Sequence, residues 1–110
     1  MKERRRYERV ALFRPLHLAV LPDGPVVPGS SFDISIGGVG VATELVLEPG
    51  QAVRVRFHFQ DGPHGGTDEE VLGQVAYTRV DEAGNRMGIE FLSTIQESTQ
   101  PRLLRTLSSL

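Results

Sequence analysis

Two short patterns hold the side chains of this sequence that packing alone explains least well. One is Arg5-x-x-x-Arg9, inside the basic opening KERRRYERV, and the other is Asp33-x-Ser35-x-x-Gly38, inside SFDISIGGVGVAT. Arginine carries a planar, permanently charged fork of N–H donors that grips phosphate oxygens two at a time and stacks on flat rings, which lysine does less well. An ionised Asp33 is a pure acceptor suited to a pair of N–H donors, and Ser35 adds a hydroxyl that donates or accepts. Glycine at 37 and 38 removes the Cβ, so that a ligand can approach the backbone or the chain can turn with φ > 0. A bulge or bend closing a small barrel would use the same glycines. Gly40 extends this open edge.

The charge is unevenly spread. Of the chain's twelve basic residues, six (Lys2, Arg4, Arg5, Arg6, Arg9 and Arg14) fall in the first 14 positions, against two of the fourteen acidic ones (Glu3 and Glu8). That leaves six basic and twelve acidic side chains for the remainder, so a formal net charge of −2 covers a basic arm on an acidic body. Such asymmetry points to an anionic partner or to docking of the arm on its own body. A solubilising tail is the plain alternative. The arm, residues 1–9, has Tyr7 as its one large apolar group after Met1, and its arginines repel one another. It is expected to be flexible without a partner.

Catalysis finds little support. His17, His58 and His64 are scattered through the sequence, with no HxxxH or HExxH spacing, so no metal site is expected. Asp33 and Ser35 lack a base partner for a nucleophilic triad. No glycine run precedes a Lys-Ser/Thr pair or opens a βαβ unit, so neither a P-loop nor a dinucleotide fingerprint is present. The chain has no cysteine, which removes disulfides and thiolate metal sites and agrees with a reducing compartment. No apolar run reaches the roughly 18 residues that span a bilayer, nor does an apolar region follow the basic start as in a signal peptide. The expectation is a cytoplasmic protein without membrane insertion and without catalytic residues.

What must position the two patterns is a set of short strands. Twelve glycines and seven prolines punctuate segments in which apolar residues recur at every second position. From Val10 to Leu21 the alternation is imperfect, and Pro15 restricts that strand to an edge or bulge. Phe32, Ile34 and Ile36 share one face by alternation, which leaves Asp33 and Ser35 on the other. Glu48-Pro49-Gly50 is a turn. AVRVRFHF puts Val53, Val55, Phe57 and Phe59 inward and Arg54, Arg56 and His58 outward. QDGPHGGTDEE reads as a loop. Val71–Val80 and Met87–Leu92 flank DEAGN, whose Gly84 and Asn85 suit a hairpin. Arg79 and Arg86 beside it read as solvated. Leu103, Leu104 and Leu107 then take helical spacing, with Ser98 or Thr99 as a cap and Pro101 in the first turn, so a short helix is expected over about residues 95–110. With 110 residues the chain fits one domain, residues 10–110, and a closed antiparallel barrel of six or so strands removes exposed edges. The fold class is all-β.

In this order, on an all-β chain of this length, RxxxR and DxSxxG resemble the PilZ family, bacterial domains that bind the second messenger cyclic di-GMP. The resemblance runs over nearly the whole chain, including GQVAYTRV, RMGIEF and the trailing helix. It implies a six-stranded barrel, no enzymatic activity, no cofactor, and a ligand site made by Arg5, Arg9, Asp33, Ser35, Gly37 and Gly38. Arg4 stands just before RxxxR, a position the family associates with binding an intercalated pair of ligand molecules. Because it is embedded in RRRYER, the register of the arm can slip. Tyr77 stands where family members often place an aromatic beside the ligand, although its own strand favours core packing. Cyclic di-GMP has two phosphodiesters and two guanines, and arginine forks fit its phosphate oxygens and guanine O6/N7 as Asp33 fits guanine N1–H and N2–H. The function implied is a receptor whose arm orders across the barrel on binding and presents a new surface to a partner protein. The competing readings are a nucleotide-independent adaptor and a basic-arm binder of nucleic acid or anionic membrane. The second is disfavoured by the acidic body and by the lack of interleaved aromatics for base stacking.

Overall fold

Alternating apolar residues fold this chain into strands whose inner faces close on one another. In the computed structural model, residues 8–60, 63–82 and 84–108 are described. The arm before Glu8, with Arg4 and Arg5, lies outside them. The described strands are β1 (Val10–Ala11), β2 (Pro15–Val20), β3 (Val26–Ser35), β4 (Gly38–Thr43), β5 (Ala52–Gln60), β6 (Gly66–Asp81) and β7 (Gly84–Phe91), followed by the helix α1 (Pro101–Ser108). All pairings are antiparallel, in the order β1-β3-β2-β5-β6-β7-β4, and β4 returns to pair with β3. Six strands thus close a barrel, with β1 an additional short strand on the edge of β3. Pro15 is the first residue of β2, a position that tolerates a missing N–H.

The interior is apolar. Leu16 and Leu18 of β2, Val53, Val55, Phe57 and Phe59 of β5, Val39 and Val41 of β4, and Met87, Ile89 and Phe91 of β7 are all buried. The expected inward face of β5 is therefore the observed one. Gly50, with φ of +96°, makes the turn after Pro49, and Gly84, with φ of +122°, opens the β6–β7 hairpin, backbone that L-residues avoid. The supposed loop QDGPHGGTDEE is shorter than expected: β6 begins at Gly66, and the polar Thr67 to Glu70 pair with β5 from Phe59 back to Arg56.

Two bulges reverse side chains that simple alternation sends inward. One lies in β3 between Ser31 and Asp33, and the other lies in β6 between Val75 and Tyr77. At the first, Ser31 takes the inner position, 1% exposed, its hydroxyl donating to the Leu12 carbonyl at 2.6 Å and accepting from the Arg14 amide at 3.0 Å. Phe32 consequently does not join Ile34 inside. At the second, Tyr77 turns to the outer face and is 45% exposed, so it is not a core residue. A bulge adds one residue to one strand and shifts the period by one.

The helix is shorter than expected and is not capped by Ser98 or Thr99. Pro101 is its first residue, where a missing N–H costs nothing. The free amides of Arg102 and Leu103 donate to the two carboxylate oxygens of Glu69 on β6, at 2.7 and 2.9 Å. Leu103, fully buried, and Ile95 close one end of the core, and Gln100 adds a bond to the Glu70 carbonyl at 3.0 Å.

Candidate functional site

The turn between β3 and β4 brings the second sequence pattern together. Ser35 pairs with Gly38, which leaves Ile36 and Gly37 as the two turn residues. Ser35 is buried, and its hydroxyl accepts the Gly37 amide at 3.1 Å, so its first task is to fasten the turn. The Ile36 and Gly37 carbonyls accept the amides of Ile95 and Phe91, which ties the turn to the end of β7. Among the described residues, positive φ occurs only at Gly50, Gly65 and Gly84. Gly37 and Gly38 therefore do not serve as left-handed hinges here.

Gly38 is needed for close approach instead. A Cβ there would stand 2.6 Å from the Ile89 carbonyl oxygen and 3.5 Å from a terminal nitrogen of Arg9. The Ile89 carbonyl cannot yield without disturbing the β4–β7 ladder. Gly38→Ala is expected to lower stability by about 1–3 kcal/mol, the usual cost of overpacking, as a reduced urea midpoint; an unchanged midpoint would refute this account of the glycine.

Arg9 and Asp33, 24 positions apart, meet on the outside of the barrel. The Arg9 guanidinium donates to Asp33 Oδ1 at 3.1 Å, with both side chains more than two-thirds buried. The same oxygen accepts the Gly40 amide at 3.1 Å. Asp33 is thereby fixed by β4, and Arg9 is fixed by Asp33. Oδ2 has no partner among the described residues, so the carboxylate keeps acceptor capacity for a donor from outside.

The next positions across the sheet are two glycines. Asp33 pairs with Gly40, Gly40 with Gly88, and Gly88 with Tyr77. Both gaps are filled by aromatic rings: a Cβ on Gly40 would lie 2.5 Å from Phe32, and one on Gly88 would overlap the Tyr77 ring. The Phe32 ring also carries the Arg86 guanidinium, 5.5 Å from its centroid. The outer face beside Asp33 therefore bears two aromatics, a carboxylate and two arginines. The structure thus brings Arg9, Asp33, Ser35, Gly37, Gly38 and Tyr77 to one wall; Arg4 and Arg5 lie outside the described residues. Gly40 is not open space, because Phe32 and Asp33 occupy it. Sequence reading missed Phe32 and Arg86, and nothing in SSFDIS announces the bulge that puts the Phe32 ring under Arg86.

On the opposite wall, histidines far apart in sequence are neighbours. His17 Nδ1 lies 2.6 Å from His58 Nε2, and His58 Nδ1 lies 2.8 Å from Asp68. Among the described residues no group of three His, Asp or Glu is placed to hold a metal ion, and no helix is long and apolar enough to cross a membrane.

The family model for the PilZ domain matches residues 3–109. An uncharacterized protein of Aquifex aeolicus (strain VF5) is 34% identical over 103 residues, covering 84% of this chain and 48% of that protein; the chain thus spans about half the length of that relative. Among solved structures, the inhibitor of motility MotI/DgrA of Bacillus subtilis superposes with a TM-score of 0.71 at 17% identity, over 98% of this chain and 53% of that one. The PilZ domain of YcgR from Escherichia coli, solved with c-di-GMP, gives 0.66 at 21% identity over 98% and 92%. The PilZ domain of CeSA from a cellulose-synthesizing bacterium gives 0.65 at 21% over 92% and 98%. At these identities the structural likenesses speak to the fold.

Proposed function

Since this chain belongs to the PilZ domain family, we propose that it is a cytoplasmic receptor for cyclic di-GMP and not an enzyme. The observation that carries the reading is the Arg9–Asp33 contact, which joins the arm's second motif arginine to the strand motif on one outer wall of the barrel. Asp33 Oδ2 then accepts guanine N1–H and N2–H, while Arg9 and Arg5 supply forks for phosphate oxygens and the guanine O6/N7 edge. Tyr77 offers a ring beside them. The ligand found with the YcgR PilZ domain supports the choice of nucleotide.

Binding is coupled to the arm. Arg9 is already held by Asp33, so the cost falls on the arm ahead of it, on the order of 1 kcal/mol of backbone entropy for each residue that closing the arm fixes, and three or four charge-assisted contacts at about 1.5–3 kcal/mol each are of similar size. The near balance suits a switch: the arm closes over the nucleotide and a partner protein reads the surface so formed. Arg4, stacked on a further guanine, favours two intercalated ligand molecules.

Calorimetric titration with cyclic di-GMP, with GTP and a short DNA duplex as controls, tests the reading. The expected result is a micromolar-scale dissociation constant, about −8 kcal/mol, near two ligands per protein, with trypsin cleavage at Arg4 to Arg9 suppressed by ligand. Heat with GTP or DNA alone would overturn it in favour of the arm-binder reading. Silence with all three would favour the nucleotide-independent adaptor.

A further inference from the structure

The hairpin of β6 and β7 sets Arg79 directly opposite Arg86, both exposed and both on the outer face that carries Gly88 and Tyr77. Like charges in direct cross-strand register oppose folding. Elsewhere on this barrel such charge is neutralised: Arg54 and Arg56 both pair with Glu70 across β5 and β6. Arg79 and Arg86 form no ion pair among the described residues. Arg86 is nevertheless held in place by the Phe32 ring, which the β3 bulge puts on the surface at the cost of an aromatic lost from the core. Strand spacing and rise put the Arg86 Cα about 12 Å from the Asp33 Cα, two strands across and two residues along. Arg79, one strand further, lies about 16 Å away by the same spacing, and the long side chains of both arginines reach back toward a nucleotide at Asp33.

We propose that Arg79 and Arg86 form a second anion cradle, which takes a phosphodiester of the ligand bound at Arg9 and Asp33, with Phe32 as the residue that positions Arg86. This rests on the cyclic di-GMP reading above and deepens it, because it gives the phosphate farther from the arm a fixed partner on the barrel itself. The charge that lacks an acidic partner among the described residues is then one that the dianion neutralises. An ordinary solvated surface arginine would show no such relief.

The test is titration of cyclic di-GMP into the parent protein, Arg79→Gln, Arg86→Gln and Phe32→Leu, at low and high salt, with thermal melts of each free protein. Each arginine substitution is expected to weaken binding about tenfold and to flatten its salt dependence. Melting temperatures of the free Arg→Gln proteins should be equal to the parent's or higher, since like-charge repulsion is removed, a pattern that loss of a structural residue would not give. Phe32→Leu should weaken binding in the parent background and add nothing in the Arg86→Gln background. A parent that binds while both arginine variants bind within twofold of it overturns the cradle and leaves the receptor reading standing. A parent that does not bind overturns both.

Discussion

Replacing Asp33 by alanine is expected to lower cyclic di-GMP affinity on the order of a hundredfold while leaving the circular dichroism spectrum unchanged. The carboxylate does two things at once. Oδ1 holds the Arg9 guanidinium and the Gly40 amide, and Oδ2, without a partner among the described residues, is the atom proposed to take the ligand. A hydrogen bond to a charged group contributes about 1.5–3 kcal/mol, and 1.4 kcal/mol is a decade in affinity. Losing one ligand bond and the order of Arg9 together reaches about two decades. Arg9→Ala should cost a similar amount. The two losses should not add, because each single change already breaks their shared contact; a double-mutant cycle is expected to show coupling of about 1 kcal/mol or more. Both single variants titrating like the parent would remove this wall as the binding site, and strict additivity would mean that Arg9 and Asp33 reach the ligand independently.

The alternating strands were legible because nothing interrupts their period. In β5, from Val53 to Phe59, side chains obey strict alternation and the barrel buries the apolar half. Phe32 and Tyr77 defeated the same rule at two bulges: Phe32 is itself the extra residue of β3, and Tyr77 follows the extra residue of β6, which sends it to the other face. Both bulges adjoin the candidate site, and each delivers an aromatic ring onto a glycine of the neighbouring strand, Phe32 onto Gly40 and Tyr77 onto Gly88. The bulges and glycines are thus parts of one device. Only register could have revealed it, since the partners lie 8 and 11 positions apart in sequence and carry no mutual signature. The motifs grouped Arg9 with Asp33 at one site, but their direct contact was not read from the sequence. The Arg79–Arg86 opposition became visible only once the second bulge had fixed which β6 residue faces which β7 residue.

Glu69 was unreadable for a different reason. In TDEEV it looks like one more solvated charge, yet it is 5% exposed and serves a helix that begins 32 residues later. Its carboxylate accepts two amides at the N-terminal end of α1, where the helix dipole favours negative charge. Truncation to alanine would leave both donors without an acceptor, and a buried unsatisfied donor costs about 1–3 kcal/mol. Glu69→Ala is therefore expected to destabilise the protein by about 2–4 kcal/mol, seen as a lower urea midpoint, with the largest gain in amide hydrogen exchange at Leu103 and its neighbours. Glu69→Gln should fall between, since an amide keeps one acceptor and turns an N–H toward the second donor. Because the part of β6 on the ligand wall begins at Tyr77, eight residues beyond Glu69, and the remaining wall belongs to β3, β4 and β7, cyclic di-GMP affinity measured well below the midpoint should be unchanged in Glu69→Gln. A Glu69→Ala protein as stable as the parent would show that α1 is held by Leu103 and Ile95 alone. A Glu69→Gln protein that folds but loses the ligand would instead make the helix anchor part of the binding mechanism.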